Sequence, residues 1–63
     1  MEVNVIFYED PNPKDCDVFA IYHYKSDAKR WLENHGWYFN TDYCVWYNSN
    51  YNGFVEILER DFT

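Results

Sequence analysis

The sequence predicts an α+β fold: an antiparallel sheet of four to five strands, in the order ββαβββ, with one helix packed on one face. Three observations predict it. Residues 26–36 hold one helical period closed by a glycine, and no second such period occurs. The stretches on either side alternate in polarity or are dense in β-branched and aromatic residues. Short turn-forming clusters separate those stretches.

Residues 2–8 (EVNVIFY) alternate. Val3, Val5 and Phe7 point to one face, and Glu2, Asn4, Ile6 and Tyr8 to the other. Both faces carry apolar side chains, which fits a central strand. Residues 9–17 (EDPNPKDCD) break the pattern, because Pro11 and Pro13 cannot donate ladder bonds and Asn and Asp favour turns. This loop holds four acids: Glu9, Asp10, Asp15 and Asp17. Residues 18–24 form the hairpin partner, with Phe19, Ile21 and His23 on one face and Val18, Ala20, Tyr22 and Tyr24 on the other.

The helix follows. Ser26 is the expected N-cap, its hydroxyl accepting from an orphan N–H of the first turn, and Asp27 sits near the positive end of the dipole. Ala28, Trp31, Leu32 and His35 recur at i, i+3, i+4, i+7 and make one face for the sheet. Lys29, Arg30, Glu33 and Asn34 face water. Gly36 fits the position after the C-cap, where a left-handed backbone is favoured. Residues 37–39 then read as a short strand, Asn40, Thr41 and Asp42 as a turn, and residues 43–47 as the returning strand, with Tyr43, Val45 and Tyr47 opposed to Cys44 and Trp46. Residues 48–53 (NSNYNG) end in Asn-Gly, a strong hairpin signal. Residues 54–60 are the last strand, Val55 and Ile57 facing inward and Glu56, Glu59 and Asp61 near the surface. An alternative makes residues 37–46 a loop-like aromatic arm and leaves three strands.

A chain of 63 residues is a single domain, residues 1–63, and buries only about 60% of its unfolded surface. Seven Tyr, five Phe and three Trp are more rings than one helix-on-sheet layer can enclose. Exposed clusters of such rings mark interfaces. The net charge is −6 with only five Lys and Arg, so direct binding to nucleic acid and to anionic membranes is disfavoured. A basic protein surface is the favoured partner, including the nucleic-acid channel of an effector. No apolar stretch approaches the roughly 20 residues of a membrane span. Met1 leads into a strand with no basic leader, so a cytoplasmic location with reduced thiols is expected.

The candidate chemistries are weak. Cys16, His23, His35 and Cys44 are a formal Cys₂His₂ set, but they lack the tight pairs that structural zinc sites use. Cys44 has no orienting residue or oxyanion hole placed beside it. The pairs Asp15/Asp17 and Glu56/Glu59 come with no cation-loop spacing. No cofactor and no catalysis are therefore expected. The expected partner-binding residues are the acids Glu9, Asp10, Asp15, Asp17, Glu56, Glu59 and Asp61, which would steer association. The aromatics Tyr22, Tyr24, Tyr38, Trp46, Tyr47 and Tyr51 would carry affinity. A second reading is a structural or assembly module, an aromatic-rich homodimer or another protein–protein interface.

The stretch YHYKSDAKRWLENHGWYF resembles short reading frames of bacteriophages and mobile elements: a strand, a capped helix, a glycine, then an aromatic strand. Small size, acidity and aromatic surface are together similar to phage-encoded inhibitors of host defence, the anti-CRISPR proteins and DNA mimics. That resemblance implies a non-enzymatic inhibitor, working in the host cytosol, that occupies a nucleic-acid site on a defence protein. These inhibitors share no motif, so no residue role is carried over.

Overall fold

The strand with apolar side chains on both faces lies inside the sheet. The computed structural model describes residues 1–61. It contains β1 (Glu2–Glu9), β2 (Asp17–Tyr22), α1 (Lys25–Asn34), β3 (Tyr38–Asn40), β4 (Val45–Tyr47) and β5 (Phe54–Asp61). The strands form one sheet in the order β2-β1-β5-β4-β3, antiparallel at every pairing. The predicted five-stranded α+β fold is therefore present, and residues 37–46 are not a free arm, since Tyr38–Asn40 pairs with Val45–Tyr47. The β1–β5 ladder runs unbroken from Glu2 opposite Asp61 to Glu9 opposite Phe54.

The loop after β1 carries a short 3₁₀ turn, Pro13–Asp15, capped by the Asn12 side chain, which accepts from the Lys14 N–H at 3.2 Å. Strand β4 begins at Val45, two residues later than expected. Asn40 Oδ1 accepts from the N–H groups of Asp42 (2.9 Å) and Tyr43 (3.1 Å) and holds residues 41–44 as a turn. Cys44 has a left-handed φ of 56° there.

The helix begins one residue before Ser26, which is not its N-cap. Tyr24 occupies that position without a side-chain cap, and its carbonyl accepts from Asp27 (3.1 Å) and Ala28 (3.3 Å). The buried Asn4 amide explains the shift. It donates to the His23 carbonyl at 3.1 Å, ending β2 at Tyr22 and turning the chain into the helix early. The C-terminus closes as expected. Gly36, at φ 84°, donates to Glu33 O (3.3 Å) while Trp37 N–H donates to Leu32 O (2.9 Å). This paired arrangement satisfies two orphan carbonyls.

The core lies between α1 and one face of the sheet: Ile6, Tyr8, Ala28, Leu32, Trp37, Trp46 and Val55, flanked by Phe19, Ala20, Tyr22, Trp31 and Ile57. Two expectations are corrected here. His35 does not face the sheet; it is exposed and stacks on the half-buried Trp31 ring at 4.0 Å. Phe19 does not share a face with Ile21. The register shifts between Ile6 and Phe7, so that Ala20 opposes Ile6 but Val18 opposes Phe7. This bulge turns Phe19 under the helix, where it stacks on Tyr8 at 5.3 Å, and leaves Val18 on the far face with Ile21.

The β4–β5 turn depends on Gly53. A Cβ there would meet Glu9 O at 1.9 Å, and the Gly53 N–H donates to the Tyr8 hydroxyl at 3.1 Å.

Leu32 is fully buried whereas Trp31 is not. Leu32→Ala is expected to cost about 3–4 kcal/mol in urea unfolding, and Trp31→Ala less despite the larger ring. Gly53→Ala should destabilise by more than the ~1 kcal/mol of an ordinary backbone effect, because the clash is with backbone. Equal stability of Gly53→Ala and the parent would contradict this turn geometry.

Candidate functional site

Each direct cross-strand pair puts its two side chains on the same side of the sheet. The register therefore assigns the face away from α1 residue by residue. Ile21, Val5 and Leu58 form one row across β2, β1 and β5. Val18, Phe7 and Glu56 form the next row, and Val3 with Arg60 lies on the other side. Glu9 and Phe54 follow at the end of the β1–β5 ladder. From there Phe54 meets Tyr47 at 6.4 Å, and Tyr47 meets Tyr38 at 6.3 Å. Val45 opposite Asn40 completes the set.

This face is apolar although the only helix among the described residues packs on the other side. An antiparallel sheet with one wet face ordinarily alternates apolar-in with polar-out. Here the outward set holds Val, Ile, Leu, Phe and Tyr, with Glu9, Glu56 and Arg60 as its only charges among the described residues. The smaller Val3, Val5 and Val45 are buried beneath their neighbours, but Ile21 is 56%, Tyr38 59% and Val18 45% exposed.

The expected aromatic set is divided by the fold. Tyr38 and Tyr47 stand together on the open face. Trp46 does not reach a partner surface: it is 7% exposed and belongs to the core, because its pairing with Val55 turns it toward the helix. Tyr22 is half-buried on the helix side. Tyr51 packs on Tyr8, Phe19 and Trp37 and stays partly exposed. Tyr24 is 71% exposed at the start of the helix. The open-face Phe7, Phe54, Ile21 and Leu58 were missed by sequence reasoning. The signal available was apolar residues at both parities of strands 2–8 and 54–60.

The acids are divided too. Glu9 and Glu56 lie on the open face. Asp10, Asp15 and Asp17 border a shallow hollow with Tyr51, Asn50 and Asn52. Glu59 pairs with Lys25 at 3.2 Å, and Asp61 with the N-terminal amine at 3.1 Å. Asp10 accepts a short hydrogen bond from the Tyr8 hydroxyl and one from the Asn12 N–H at 2.9 Å.

No three His, Cys, Asp or Glu side chains among the described residues are grouped to hold a metal ion. Cys16 Sγ contacts the Asp10 backbone, Cys44 Sγ reaches Thr41 O at 3.6 Å, His35 lies on Trp31, and His23 is exposed. A groove of about 370 Å³ beside α1 is lined by Lys25, Lys29, Glu33, Phe39, Cys44, Trp46 and Ile57. No histidine lines it to activate the thiol. No helix among the described residues is long and apolar enough to cross a membrane. Comparison with protein-family models, curated proteins and solved structures returned no match.

Burial raises the Tyr8 hydroxyl pKa above its ordinary 10.0, and the Asp10 acceptor pushes the same way. Donation from Tyr8 and then from Asn12 lowers the Asp10 carboxyl below its ordinary 3.8. Linkage fixes the signs. The Tyr8 contribution is full below the unfolded pKa and is lost as pH rises through the folded value. The Asp10 contribution is present above the unfolded pKa and is lost as pH falls through the folded value. In urea titrations, Tyr8→Phe should therefore flatten the alkaline decline above about pH 10. Carboxyl NMR of that variant should show Asp10 titrating closer to its ordinary range. An unchanged Asp10 titration would contradict the pairing.

Proposed function

We propose that this chain is a non-enzymatic protein-interaction module that works through the face of its sheet opposite the helix. The observation that carries the reading is the apolar face itself, extending over all five strands and holding Ile21, Tyr38 and Val18 substantially exposed. Contiguous exposed apolar side chains mark interaction sites in soluble proteins. Aromatic side chains supply much of the affinity of an interface, and Phe7, Phe54, Tyr47 and Tyr38 stand on this face. The face is a broad sheet surface, which suits the flat contact of two proteins better than a small-molecule ligand.

The charge-led reading, an anti-CRISPR-like inhibitor that presents its acids as a DNA mimic to a basic host effector, is supported by the net charge of −6. It draws less from the placement of the acids. Glu9 and Glu56 project on one face, Asp10, Asp15 and Asp17 border another, and Glu59 and Asp61 are engaged in ion pairs.

A photo-reactive amino acid at position 21 tests the proposal and captures the partner in the same step. In the producing cell, position 21 should give discrete protein adducts. Position 24, also well exposed but on the helix side, should give few. High salt should leave the adducts intact or increase them, since apolar contacts strengthen under salting-out conditions. Adducts confined to position 24, or lost in salt, would overturn the open face as the working surface and favour the charge-led reading.

A further inference from the structure

We infer that the partner of the open face is a second copy of this chain, the two sheets packing face to face about a two-fold axis that runs along the Ile21–Val5–Leu58 row. The inference rests on the open face being the working surface and goes on to name what covers it.

The argument is self-complementarity. A two-fold axis lying between two identical faces, perpendicular to the strands, reverses strand direction and returns each row to a defined partner. In such an isologous contact, if residue i meets j, then j meets i. With the axis on the central row, the exposed Ile21 and the partly exposed Leu58 meet their own copies on either side of the buried Val5, and all three are apolar. The rows on either side exchange. The Val18–Phe7–Glu56 row of one copy faces the Val3–Arg60 row of the other. Phe7, which is partly exposed, then lies over the position of the smaller Val3, which is 6% exposed. Glu56 lies over Arg60. A large side chain meets a small one, and an acid meets a base, twice each by symmetry. Moving the axis one row toward Phe7 would put Glu56 on Glu56, and one row toward Val3 would put Arg60 on Arg60. The apolar row is thus the one setting among these that opposes no like charges.

Two further observations fit a second copy. The molecule carries a net charge of −6, but among the described residues the open face carries only Glu9, Glu56 and Arg60, so most of the repulsion between copies lies away from the contact. Arg60 commits one guanidinium nitrogen to Glu59 O at 2.9 Å, which leaves further donors for a carboxylate across the interface. The five strands hold 28 residues, and at about 3.3 Å per residue and about 4.8 Å between strands they give a face of about 440 Å², below the roughly 800 Å² per partner of a standard interface, so the dimer is a weak one. Sheets stacked this way pack about 10 Å apart with axes within about 30°, close enough for Glu56 and Arg60 to meet.

Sedimentation velocity on the purified chain, from about 1 µM to about 1 mM, reads the association directly, since a dimer population must rise with concentration. The parent should move from its 7.8 kDa monomer toward twice that mass. Arg60→Glu alone, and Glu56→Arg alone, should each weaken dimerisation about tenfold by opposing like charges. The combined E56R/R60E swap should restore it. Both positions are at least partly exposed, so circular dichroism of each variant should match the parent. A chain that stays monomeric throughout, or a dimer indifferent to both single reversals, would overturn the inference. The position-21 crosslink separates the levels: a monomeric chain whose position 21 still captures a different protein keeps the open face as the working surface and rejects only self-pairing.

Discussion

The β1–β5 ladder holds the rest of this molecule in place. Eight consecutive residue pairs join β1 to β5, and each outer element is attached to one of these two strands directly or, for β3, through β4. Strand β2 and the helix that follows it hang from β1; strands β3 and β4 hang from β5. The side chains that seal the core come from both strands: Ile6 and Tyr8 from one, Val55 from the other. A domain this small has little surplus burial, so the ladder and the single helix above it have no redundant support. Tyr8 concentrates that dependence. Its ring is packed among Phe19, Trp37 and Tyr51, and its hydroxyl joins the Asp10 loop to the Gly53 turn.

One helix covers one face. That arithmetic sets the character of the surface opposite, because the sequence places apolar side chains at both parities of β1 and β5. The bulge in β2 sharpens the division. By inserting one residue it sends Phe19 into the core and Val18 outward, which enriches both faces in apolar area at once. Without it, the strand would present Phe19 beside Ile21, and the corner formed by Tyr8, Trp31 and Trp37 would lose the ring that joins them. The acids lie at loops, at strand ends, on the helix and at the ladder positions of Glu56 and Glu59 instead of on a single continuous band.

The class of fold was legible in the sequence because its signals are local. The helix was marked by the spacing of Ala28, Trp31 and Leu32 and by Gly36 at its end; the last hairpin was marked by Asn52-Gly53. What was not legible depends on tertiary choices. Ser26 has the chemistry of an N-cap, but the bond from Asn4 to His23 O decides where the strand stops. His35 has the right helical spacing, but the helix ends at Asn34 and leaves His35 as its exposed C-cap, stacked on the Trp31 ring. Trp46 reads as a surface aromatic until its pairing with Val55 turns it inward. The open face was hidden for a different reason. Apolar residues at both parities can mean a strand buried on both sides, and only the single helix shows that one of those sides has no cover from within the described chain.

The ladder also dictates when this protein can fold. Its two strands lie far apart in the chain, so the sheet's middle cannot form by local closure. Folds dominated by such distant pairings are slow, since the entropy of closing a long loop is lost before the contacts reward it. During synthesis β1 emerges before β5, and until β5 is made only its β2-facing edge has a partner while the other carries unpaired backbone N–H and C=O groups. Its other neighbour, β5, is the last strand among the described residues. What leaves the ribosome before then is two separate two-stranded hairpins, β1–β2 and β3–β4, with the helix between them, each too small to be stable alone. The chain becomes a domain only after residue 61 has cleared the exit, when the nascent edge of β1 is finally satisfied.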